Sequence, residues 1–83
     1  MDHYLLMARS VTRAQQMAEV LGRSGTHVRV RRTGSGVSKS GCGYSLVVSQ
    51  NAYPRAAQAL REAGQLPVKV FFVSGGERRE VAL

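Results

Sequence analysis

A single cysteine in 83 residues, Cys42, removes the two devices that most often hold so small a chain together. One thiol makes no intramolecular disulfide and leaves too few ligands for a cysteine-based structural zinc site. A domain near the lower size limit for unassisted folding must then rest on an apolar core. With 43% hydrophobic residues, the sequence has the material for one.

The changes in apolar pattern say how that core is built. Tyr4-Leu5-Leu6-Met7-Ala8 is a continuous apolar run, as in a strand at the centre of a sheet. Ser10 then offers an N-cap, and Thr12 with Gln15 three residues on offers a capping box as a second start. Val11, Ala14, Met17, Ala18 and Leu21 recur at helical spacing, and Gly22 or Gly25 stops that helix. His27-Val28-Arg29-Val30-Arg31 alternates as a strand with one wet face.

After a glycine- and serine-rich loop, Tyr44-Ser45-Leu46-Val47-Val48-Ser49 reads as a third strand. A second helix begins near Asn51 with Pro54 in its first turn, presents Ala56, Ala59, Leu60 and Ala63, and ends at Gly64. Residues 68–73 form a fourth strand. The order βαββαβ is that of an α+β ferredoxin-like two-layer sandwich. Its four-stranded antiparallel sheet has the order 4-1-3-2, fixed by two right-handed crossovers, with two helices on one face. One ferredoxin-like domain spans residues 1–76. The tail 77–83, charged and then apolar, is either a short extra strand or frayed.

Cys42 lies in that loop, in the run Ser40-Gly41-Cys42-Gly43. Glycine on both sides permits positive φ and close approach of another molecule, so the thiol reads as presented and not packed. Gly41 and Gly43 shaping a turn that Cys42 merely fills is the plain alternative. Charge bears on the choice. Twelve basic residues against five acids give a net +7, and no acid occurs between Glu19 and Glu62. Cys42 falls inside this stretch with Arg23, Arg29, Arg31, Arg32, Lys39, Arg55 and Arg61, which attract anions or simply keep a small domain solvated.

The topology brings these features together. Strands one and two run parallel and strand three against both, so one edge gathers Arg9, Ser10, Thr12, Arg31, Arg32 and Cys42, with the loop Gln65-Leu66-Pro67. Helix-end amides and guanidinium groups there favour a thiolate, and the glycine amides add a nest of N–H donors for an anion. His3 and His27 begin their strands at the opposite edge, roughly 20 Å away for strands rising ~3.3 Å per residue, which excludes a Cys–His dyad. No carboxylate pair, zinc spacing or P-loop is present.

A thiolate without base, metal or pocket is suited to carrying a group. It accepts sulfur from a donor persulfide, or selenium from a donor perselenide, and passes it on by exchange. Gly75-Gly76 is followed by seven residues, so a ubiquitin-like terminal di-glycine mechanism would need cleavage. No cofactor and no metal are expected beyond the covalent chalcogen, and the protein is read as a carrier and not an enzyme. The apolar run at residues 4–8 is too short for a signal-peptide core and nothing reaches transmembrane length. A reducing, cytoplasmic setting without membrane contact is therefore expected.

Tyr4-Leu5-Leu6 leading into Arg9-Ser10-Val11-Thr12, the Ala14-Gln15 helix start, Arg32-Thr33, and above all Ser40-Gly41-Cys42-Gly43-Tyr44 resemble the small selenium/sulfur carrier-like proteins over about residues 4–73. The resemblance implies a ferredoxin-like fold and a carrier role for Cys42. Lys39, the long glycine-serine approach and the Gly-Gly-Glu-Arg-Arg tail depart from the family pattern without touching the cysteine. No proline follows Cys42, so the chain does not resemble the sulfur-relay carriers with a Cys-Pro-x-Pro motif.

The expected partners are a donor such as a cysteine desulfurase and an unknown acceptor. The competing reading is a basic binding module for RNA or protein with no thiol chemistry. Tyr4, Tyr44, Phe71 and Phe72 lie on strands, but the aromatic pattern of RNA-binding sheets is absent, which disfavours nucleic acid. Along strand four, Val68, Val70 and Phe72 fall on one face and Lys69, Phe71 and Val73 on the other. An open face with Phe71, Val73 and Val47 reads as a homodimer or partner interface.

Overall fold

The computed structural model describes residues 2–32 and 43–81. Its elements are β1 (His3–Ala8), α1 (Val11–Arg23), β2 (Arg29–Arg32), β3 (Tyr44–Ser49), α2 (Tyr53–Ala63), β4 (Lys69–Ser74) and β5 (Glu77–Val81). They form an α+β sandwich whose sheet has the order β2-β3-β1-β4-β5, with every neighbouring pair antiparallel. The first four strands take the expected order. The sheet has five strands and not four, because the tail returns alongside β4. Gly75 and Gly76 have φ of 58° and 82°, the two positive values a two-residue type I′ hairpin requires, and Ser74 pairs with Glu77 across it.

Both helices end in the same way. Gly25 at φ 86° lets its own N–H reach the Gly22 carbonyl and the Thr26 N–H reach Leu21 at 2.8 Å. Gly64 at φ 69° repeats this, with the Gln65 N–H donating to Leu60 at 2.9 Å. These paired bonds satisfy carbonyls that a helix otherwise leaves without partners, and only glycine takes the left-handed conformation at little cost.

The helices cover one face of the sheet. Leu6 and Ala8 of β1, Leu46 and Val48 of β3, and Val70 of β4 are buried against Ala14, Met17 and Leu21 of α1 and Ala56 and Leu60 of α2. Leu6 sits directly between Leu46 and Val70 in the register. Three expectations need correcting. Val30, placed on a buried face by alternation, is exposed, since all four residues of the short edge strand β2 are. Val11 is exposed at the first position of α1, before the helix has turned over the sheet. On α2 the buried set is Ala56, Ala57 and Leu60, and Ala63 faces solvent in the last turn. Among the described residues no helix is long and apolar enough to cross a membrane.

Aromatic packing closes the far end of the core. Tyr4 stacks on Tyr53 with ring centroids 3.7 Å apart and 9° between planes, and Phe72 meets Tyr4 at 4.8 Å. The Tyr53 hydroxyl is buried without a hydrogen-bond partner among the described residues. Burial, with a smaller contribution from Tyr4, raises its pKa above the ordinary 10.0, and Arg61 opposes the shift. A buried hydroxyl with no partner is a net cost, so Tyr53→Phe should leave stability unchanged or raise it by up to about 1 kcal/mol. The unfolded phenol ionises before the folded one. This contribution is therefore whole below pH 10.0 and is lost as pH rises through the higher folded value. Urea midpoints across alkaline pH should fall less steeply for Tyr53→Phe than for the native chain.

Candidate functional site

The sheet register fixes one end of the molecule. Tyr44, the first residue of β3, pairs with Ala8 on one side and Arg32 on the other, so the ends of β1 and β2 and the start of β3 meet there. Arg9 and Ser10 continue directly from β1. Ser10 is extended, at φ −142° and ψ 163°, and its hydroxyl accepts from the Arg13 N–H at 3.2 Å. Ser10 and not Thr12 is therefore the cap of α1; Thr12 lies exposed within the first turn. A capping oxygen contributes about 1 kcal/mol and aims the positive end of the helix dipole at this edge.

Arg31 and Arg32 stand on opposite faces. Arg32 pairs with Tyr44 on the helix side, and Arg31 pairs with Ser45 on the other. Arg9, Arg31 and Arg32 are exposed, and among the described residues none has a carboxylate partner; the ion pairs join Arg23 to Glu19 and Lys69 to Glu80. Positive charge here is uncompensated. Gly43 immediately precedes Tyr44 and is the described residue bonded to Cys42. Ser40, Gly41 and Cys42 fall outside the described residues.

Two contacts at this end have no local signature in the sequence. The Arg13 guanidinium donates to the Gln65 side-chain oxygen at 3.3 Å, tying α1 to the segment after α2. The Val68 N–H donates to the Met7 carbonyl at 2.9 Å and carries that segment into β4. Arg9 and Arg13 then line a small cavity of about 90 Å³ whose other walls are Met7, Met17, Leu66 and Val68. An arginine pair in such a spot attracts an anion.

The histidines lie elsewhere. His3 pairs with Ser49 at the far end of β1 and shares an open cavity of about 560 Å³ with His27, Asp2 and Arg29. Among the described residues no group of three His, Cys, Asp or Glu is arranged to hold a metal.

The described residues thus form a small two-layer α+β domain with a basic edge at the end of the sheet where Gly43 stands. The family model described as "Putative Se/S carrier protein-like" matches residues 3–71, and the chain belongs to that family. The match contains Cys42 and the basic edge, and stops before β5. No curated protein and no solved structure matches the chain significantly.

Gly43 itself does not need to be glycine for the fold. It is not among the positive-φ residues, and a Cβ there would meet nothing within 4 Å. Gly43→Ala should therefore change stability by no more than about 0.5 kcal/mol, whereas alanine at Gly25 or Gly75 should destabilise because φ there is positive. Thermal midpoints of the three variants would separate a turn-forming role for Gly43 from one of leaving room beside its neighbour.

Proposed function

We propose that the protein carries sulfur or selenium at the persulfide level on Cys42 and hands it between partner proteins. Membership of the carrier-like family over residues 3–71, with the chain's sole cysteine inside the match, is the observation that carries this reading. Arg9 and Arg32, without carboxylate partners among the described residues, and the capped start of α1 support it, because both favour an anion at the end of the sheet where Gly43 stands. Both histidines lie at the end of the sheet opposite Gly43, and sulfane transfer needs no general base.

The step conserves atoms and electrons. The Cys42 thiolate attacks the outer sulfur of a donor persulfide, forming a new S–S bond as the donor's own S–S bond breaks. The donor cysteine leaves as thiolate and the proton of the persulfide travels with the transferred sulfur. Delivery is the mirror image: an acceptor nucleophile takes the outer atom and Cys42 leaves as thiolate. A thiol of low pKa serves both halves, being ionised when it attacks and stable when it leaves.

Two measurements test this. Incubation with a cysteine desulfurase and cysteine should add one sulfur atom per chain by intact mass, removable by reductant and abolished by Cys42→Ala with the fold unchanged. Alkylation rate against pH should give a midpoint for Cys42 below the ~8.5 of an unperturbed cysteine. A midpoint at or above that reference would mean that the basic edge does not act on the sulfur.

A further inference from the structure

The face of the sheet away from the helices has a defined composition. Cross-strand partners share a face, so the register places Arg29, Val47, Leu5, Phe71 and Glu80 in one row across all five strands. The row toward Gly43 holds Arg31, Ser45, Met7 and Lys69, and the row on the other side holds Ser49, His3, Val73 and Arg78. Leu5, Val47, Phe71 and Val73 form a half-buried apolar centre, while Met7 and Ser45 are already buried.

Cations flank that centre on both sides. Arg29 and Arg31 stand exposed on β2. Lys69 and Arg78 stand on the other side, with the Arg78 guanidinium 5.6 Å from the centre of the Phe71 ring. Two carboxylates stand nearby: Glu80 lies 4.0 Å from Lys69, and Asp2 lines the cavity shared with His3, Arg29 and Val47. An apolar patch framed by three arginines that have no ion pair among the described residues calls for an occupant with an apolar centre and an acidic rim.

We propose that this face docks such an acidic protein surface, and that its occupant is the protein that loads Cys42, a persulfide donor of the cysteine desulfurase type. The inference rests on the carrier reading above. A second copy of the chain is disfavoured, since each carries +7 and would set Arg29, Arg31 and Arg78 against the same groups. RNA is disfavoured because Phe71 is the one aromatic on this face and Arg78 already lies over its ring. Tyr4, Tyr44 and Phe72 are on the helix side, so successive bases find no stacking platform. The row of Arg31, Ser45, Met7 and Lys69 lies nearest Gly43, so a protein seated on the face also reaches the end of the sheet that Cys42 adjoins in sequence.

The test uses the full chain, a cysteine desulfurase as probe, and the double variant Arg29→Glu/Arg78→Glu, whose exposed positions leave both the core and the basic edge untouched. The native chain should bind the desulfurase with an affinity that weakens as salt rises. The variant should bind about tenfold or more weakly and load correspondingly slowly from the enzyme. Loading of both chains from inorganic polysulfide should be equal, because that donor needs no docking. Equal binding and enzymatic loading of variant and native chain would overturn the proposal, as would a desulfurase that does not bind at all. A sedimentation dimer, or tight binding of a labelled single-stranded RNA, that the double variant abolishes would assign the face to another occupant and overturn it equally. Failure of Cys42 to load from either donor, with Arg29- and Arg78-dependent desulfurase binding intact, would remove the carrier reading and leave the docking face standing.

Discussion

In a sheet ordered β2-β3-β1-β4-β5, the middle strand satisfies its backbone groups on both sides, so Leu6 and Ala8 can be buried without exposing a polar main chain to an apolar core. A chain with one cysteine has nothing else to hold its ends together. The pairing of β1 with both β3 and β4 joins segments distant in sequence, and both helices then pack on the side chains this pairing aligns. The basic edge is a by-product of the same pairing. Where β1 stops, α1 must start, and where β3 starts, β2 has just ended.

Much of this was legible because local chemistry and long-range demand agree. The bounds of β3 coincide with the run Tyr44-Ser49, where a branched and aromatic sequence lies between glycine and asparagine. The helix ends follow their glycines. β5 was harder, because Glu77-Arg78-Arg79-Glu80 reads as solvated and its single apolar partner to the core, Val81, is the last described residue. The usable signal was Gly75-Gly76, a two-residue spacer between strand-like segments, which invites comparison with di-glycine carriers but acts here as a hairpin turn. Val30 misled because alternation reports the pleat of a strand and not whether anything covers it at the edge of a sheet.

The site divides along the same line. Convergence of Arg9, Ser10 and Arg32 with the start of β3 follows from strand directions alone and needs no side-chain detail. Arg13 and Gln65 were out of reach for the opposite reason: their hydrogen bond joins positions 52 apart, and neither residue has a pattern that marks it. The choice between Ser10 and Thr12 as cap turned on one backbone conformation, the extended Ser10, that both residue types can adopt.

The hairpin that adds β5 also decides what kind of border the sheet shows to other chains. An outer strand offers a row of free N–H and C=O groups, and a growing stack of copies could continue the ladder from it. One border here is Arg29-Val30-Arg31-Arg32 and the other Glu77-Arg78-Arg79-Glu80-Val81. The Phe71-Phe72-Val73 run of β4, which would be the outermost strand without the hairpin, is instead enclosed between β1 and β5. A second molecule adding to either border would have to line up guanidinium groups against one another. This apolar, aromatic run is thereby kept inside the ladder, and the charged tail works as a guard strand along it.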